Sequence, residues 1–159
     1  MEFLTLEQHP RAVTTARHWV VDVCGRRGLD IPTQDAVELV TAEMVGNAVR
    51  HGGGGIVLTV DASTPFLSLL TGDTRPASAP VLAVSVTDAG SSRPHPRAAA
   101  DDATSGRGLA LVDALSLRWG VTAVTSPGAT GAGKTTWAVL ATAGAKPRED
   151  DVLDGGQVP

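Results

Sequence analysis

The sequence predicts an α+β fold, a two-layer sandwich of mostly antiparallel sheet with helices on one face. Three observations predict it. Two stretches of helical periodicity come first, from Pro10 to about Gly25 and from Thr33 to His51. Short β-branched runs follow, joined to their sequence neighbours by turns as in hairpins, not by βαβ crossovers. The apolar residues are mainly Val, Leu, Ala and Ile, with three Trp, two Phe and no Tyr. At 159 residues the chain can bury a core of this kind as one domain.

Met1 to Leu6 reads as a short strand or arm anchored by Phe3 and Leu4, and residues 1–9 are set apart on that ground. In the first helix Ala12, Val13, Ala16, Trp19, Val20 and Val23 have helical spacing. Pro10 suits the first turn, and Gly25 or Gly28 the stop. Asp30-Ile-Pro-Thr-Gln reads as a connector, with Thr33 as N-cap of the second helix and Asp35 in its first turn. That helix ends at Gly52-Gly-Gly-Gly55, because glycine loses too much backbone entropy to hold helical geometry there.

Ile56–Val60 is a strand by composition. Residues 62–80 carry Pro65, Pro76 and Pro80 with Gly72 and Asp73, and read as a long excursion between strands. Val81–Thr87 alternates into a second strand that delivers Asp88 at its end. Residues 89–107 are loop-like, Leu109 to Leu117 a short helix, and Trp119–Thr125 and Thr135–Ala141 two more strands. The folded domain is thus expected over 10–143, with 144–159 an acidic, disordered tail.

A formal charge of −4 and a pI near 5.4 offer no general attraction to nucleic acid or to an anionic membrane. No stretch approaches transmembrane length and no positive, apolar leader opens the chain, so a cytoplasmic location is expected. Cys24 is the single cysteine and cannot form an internal disulfide. Its neighbours Val20, Val21 and Val23 point to a buried structural thiol.

Glu43, Asn47 and His51 recur at i, i+4 and i+8 and stack on one helix face. Glu43 can accept a proton or orient a water, and the Asn47 carbonyl can bind a hard cation such as Mg2+. A solvated polar stripe accounts equally well for the spacing. His51 reads as a helix-end residue outside the site. Asp88 with Gly90 places a carboxylate at a strand end, where it can take an exocyclic amine of a flat ring, or simply close an Asx turn. Gly106-Arg107-Gly108-Leu109 leads into a helix, a sequence suited to holding phosphate by backbone N–H groups. Arg107 meets a phosphate there or is a solvated charge.

Gly128-Ala-Thr-Gly-Ala-Gly133-Lys134-Thr135 satisfies the Walker A pattern in full. A working P-loop needs a helix after it, and Thr135-Thr-Trp-Ala-Val-Leu has strand composition, so a hairpin turn is the simpler reading.

In this order, Glu43-x-x-x-Asn47, Asp88-Ala-Gly90 and Gly106-Arg-Gly108-Leu resemble the N, G1 and G2 boxes of the GHKL ATPase superfamily. The branch most similar is that of anti-sigma-factor serine/threonine kinases, by Asn47-Ala-Val-Arg-His51, Gly106–Leu115, Trp119-Gly-Val121 and Gly133-Lys-Thr-Thr-Trp137. The resemblance implies a Bergerat-type site for ATP and Mg2+. It would make Glu43 the general base and Asn47 the Mg2+ ligand, and Asp88 would hold the adenine amine. Gly90 would give the base room, and Gly106, Arg107, Gly108 and Leu109 would line the phosphates beneath a lid over 89–107. Thr135 would complete the adenine contacts.

The implied reaction is phosphorylation of a Ser or Thr on a STAS-domain antagonist, with a sigma factor as alternate partner; homodimers are common in that branch. Ser92 stands where the G1 box often has its second glycine, and the 62–80 insertion is unusually long. Both leave open a non-catalytic binding module of the same fold.

Overall fold

The computed structural model describes residues 1–74, 79–90, 107–125 and 132–142. The expected tail, Gly106, Ser92 and most of the expected lid lie outside them. The chain runs β1 (Glu2–Leu6), α1 (Arg11–Arg26), α2 (Ile31–His51), β2 (Ile56–Asp61), α3 (Thr64–Thr71), β3 (Val81–Asp88), α4 (Arg107–Leu115), β4 (Arg118–Thr125) and β5 (Ala132–Ala141). One five-stranded sheet has the order β1-β2-β3-β5-β4, and every neighbouring pair is antiparallel.

Helix α1 buries Ala12, Ala16, Val20, Val23 and Cys24, a stripe at helical spacing. It closes in a Schellman arrangement: Gly28 at φ 70° donates its N–H to Gly25 O, and Leu29 N–H reaches Cys24 O. Burial pushes the Cys24 thiol up to about 11, so it is inert as a nucleophile at neutral pH. Helix α2 starts earlier than the sequence suggests. Asp30, not Thr33, is the N-cap, and its carboxylate accepts the Thr33 N–H at 3.2 Å. Asp caps as well as Thr does, and Pro32 is preset for the first turn, so the expected connector joins the helix and Asp35 falls beyond its first turn.

Val37, Val40, Met44, Val45 and Ala48 of α2 pack with α1 and with Leu58, Val60, Leu82, Val84, Val86, Ala138 and Leu140 of the sheet. The second face of the sheet carries a feature not foreseen. Within the 62–80 excursion α3 lays Phe66 and Leu70 on Ala83, Trp137 and Val139, the residues alternating with the first set along β3 and β5. The helices therefore lie on one face except α3, which covers part of the other. Burying those two side chains is worth about 2 kcal/mol each. Gly120 makes room for the Trp137 indole, whose N–H reaches Thr122 Oγ1 at 3.1 Å.

Candidate functional site

The polar face of α2 runs beside α4 and ends at the last turn of β3. Glu43 is half-buried and has no hydrogen-bond partner among the described residues. Its carboxylate lies against the backbone of Gly108 in the first turn of α4: a Cβ there would come within 3.1 Å of Glu43 Cδ and overlap Oε2. Glycine at 108 is thus what lets the helix start and the carboxylate share this space. Asn47, one turn on, accepts a hydrogen bond on Oδ1 from Arg50 Nη2 at 2.9 Å. His51 is exposed at the helix end.

At the far end α2 gives way to Gly52, whose extended backbone passes close to Asp88; a Cβ on Gly52 would lie 2.9 Å from Asp88 Cγ. Ala89 N–H bonds Gly53 O at 2.8 Å and fixes the glycine loop to the strand end. Asp88 is 3% exposed. Its Oδ1 takes the Gly90 N–H at 2.7 Å, the expected Asx turn, and Lys134 Nζ at 2.9 Å. Oδ2 has no partner among the described residues.

Lys134 comes from β5, directly opposite Asp88 in the strand register. It therefore cannot belong to a P-loop: Gly133, Lys134 and Thr135 are strand residues, and no helix follows them among the described residues. Thr135 is not brought to Asp88. It pairs with Thr87, their hydroxyls 2.8 Å apart, on the sheet face shared with Trp137. Period-two alternation puts Lys134 and Thr136 on the Asp88 side instead.

The structure thus gathers Asp88 and Gly90 at one end of α2, and Glu43, Asn47 and Gly108 nearer its middle. Leu109 is buried in α4. The side chain of Arg107 and all of Gly106 lie outside the described residues. Sequence reasoning missed Gly52, Arg50 on Asn47, and the placement of Lys134. For Gly52 the signal was the four-glycine run itself.

For Mg2+, the donor set fits in kind. One amide oxygen and a nearby carboxylate suit an ion that takes its other ligands from phosphate and water, provided Arg50 turns off Asn47. Among the described residues no group of three or more His, Cys, Asp or Glu forms a metal cage of its own.

A helix layer packs on an antiparallel sheet, a buried carboxylate ends its central strand, and glycines at 52, 90 and 108 lie where the helices approach it. The chain belongs to the histidine kinase-like ATPase domain family, whose model matches residues 6–137. It is also similar in fold to a crystal structure of the RsbU and RsbW domains of Rv1364c from Mycobacterium tuberculosis. That likeness has a TM-score of 0.53 at 20% identity, over 89% of this chain and 33% of that one. The chain therefore spans about a third of the length of that relative. No curated protein matches the sequence. No helix among the described residues is long and apolar enough to cross a membrane.

Proposed function

We propose that the protein is a cytoplasmic, Mg-ATP-dependent regulatory kinase that phosphorylates a Ser or Thr on a STAS-domain antagonist and holds a sigma factor by surface contact. Acceptor and partner come from the resemblance to anti-sigma-factor kinases. The observation that carries the reading is the position of Glu43: a carboxylate with no partner among the described residues, against the first turn of α4, with Asn47 one turn away. From Glu43 to Gly52 the α2 axis rises ~13 Å, room for a nucleotide laid from Asp88 to the α4 N-terminus.

In this arrangement Asp88 Oδ2 accepts the amine of the base. The backbone of Gly108 admits phosphate close to the helix start, where N–H groups point outward. Asn47 Oδ1 would hold Mg2+, which when bound neutralises phosphate charge. Glu43 takes the proton of the attacking hydroxyl, the one step that needs a base in a reaction otherwise governed by positioning.

Calorimetry of ATP binding with and without Mg2+ tests the site. The Mg2+-dependent part of the affinity should vanish in Asn47→Ala, while Glu43→Gln should bind ATP yet transfer no phosphate to a STAS-domain protein. A folded Asn47→Ala protein with unaltered Mg2+ dependence would overturn the reading. The alternative, a binding module tuned by ATP without catalysis, draws on Arg50 and Lys134, cations already seated on Asn47 and Asp88. A wild type that binds ATP and transfers phosphate to no STAS-domain protein would favour it.

A further inference from the structure

Lys134 is 7% exposed, and its ammonium is buried on the carboxylate at the end of the central strand. In the ion pair the two side chains keep only 8% and 2% of their accessible surface. Taking an ammonium out of water is costly unless a partner and hydrogen bonds meet it. Here they are partly met, since among the described residues the only hydrogen-bond partner beyond Asp88 Oδ1 is Gly90 O at 3.5 Å, at the edge of hydrogen-bond range. An ammonium has three donors and no acceptor, so at least one N–H is left for something else.

Three of the backbone positions against the pair are glycine. A Cβ on Gly90 would lie 2.9 Å from Lys134 Nζ, one on Gly52 2.9 Å from Asp88 Oδ1, and one on Gly133 2.7 Å from Asp88 O. Glycine at these three positions thus keeps side chains off the pair and lets the backbone approach it closely, while Asp88 Oδ2 has no partner among the described residues.

We infer that Lys134 is a second base-reading group of this site, and that the Asp88–Lys134 pair admits guanine as well as adenine nucleotides. The inference rests on the nucleotide site proposed above. A carboxylate alone favours adenine. It accepts the exocyclic amine and repels the 6-oxo group of guanine, where two acceptors would face one another. Beside an ammonium that penalty disappears. Guanine can present O6 to Lys134 and its ring N–H and amine to Asp88, while adenine gives its amine to Asp88 and takes a hydrogen bond from Lys134 at a ring nitrogen. Sites built to satisfy one hydrogen-bonding pattern discriminate by leaving a buried group unpaired, and this pair leaves none unpaired with either purine.

Titration calorimetry with ATP and with GTP, in Mg2+, decides the matter. The wild type should bind both within about tenfold of each other. Lys134→Met should shift the ratio toward ATP by about tenfold or more, and Lys134→Arg, which keeps the charge and donors, should restore GTP binding. A wild-type preference for ATP beyond tenfold overturns the inference and leaves the ATP site standing. So does a folded Lys134→Met whose ratio is unchanged, which would make the ion pair a support for the Asx turn alone. Binding of neither nucleotide overturns the inference and the nucleotide site together. Because the wild-type ratio is itself diagnostic, a Lys134→Met protein that fails to fold does not remove the test.

Discussion

Asp88 and Glu43 are both carboxylates of the candidate site, yet their settings are opposite. Asp88 is buried, and one oxygen is fixed by an amide and an ammonium delivered from a strand 46 positions away in sequence. Glu43 is half-exposed and has no hydrogen-bond partner among the described residues, with the bare backbone of Gly108 against it. The first is held by sheet register and the second by helix periodicity. A group that must recognise gains from being locked, since it costs no reorganisation when its ligand arrives; a group that must take a proton gains from being left available.

Breaking the locked end should have the larger effect on folding. Asp88→Ala strands the Lys134 ammonium in a buried place and should lower stability by about 3–5 kcal/mol, read from urea unfolding. A loss below 1 kcal/mol would mean that the pair is solvated and the contrast between the two ends is wrong. Gly52→Ala brings a methyl group onto the Ala48 carbonyl and onto Asp88, and should cost about 1–3 kcal/mol and weaken nucleotide binding. The smallest effect belongs to the open end. Arg50 is exposed, so Arg50→Ala should change stability by no more than about 0.5 kcal/mol. Freeing Asn47 Oδ1 should nevertheless strengthen Mg2+-dependent ATP affinity, and a weaker affinity would show that Arg50 serves the ligand and does not compete with the metal.

The two ends also differ in how far the sequence disclosed them. Glu43 and Asn47 lie four apart on one helix, so their adjacency follows from local geometry once the helix is recognised. Lys134 and Asp88 meet only through the β3–β5 register, which no local pattern encodes. The same dependence explains Thr135, since a shift of one residue along a strand exchanges its two faces. The helical layer, the strands and the antiparallel sheet were legible from periodicity and composition. Helix α3 was not, because eight residues with Pro65 in the first turn, carrying Phe66, Leu67, Leu69 and Leu70, span too few turns to show a one-sided stripe. What stabilises them, Ala83, Trp137 and Val139, is distant in the chain. A hint was nonetheless present: Leu82, Ala83, Val84 and Val86 put apolar residues on both faces of one strand, as in a strand covered on both sides.

In the order β1-β2-β3-β5-β4, the strand that carries Asp88 is the middle one. Its neighbours bond it on both edges, so its amides are expected to exchange with solvent deuterium more slowly than those of the edge strands β1 and β4. The Asp88–Lys134 pair is therefore anchored in the part of the sheet least open to fraying. Thermal fluctuation that loosens the rim leaves it in register, and it is lost only when folding itself is lost.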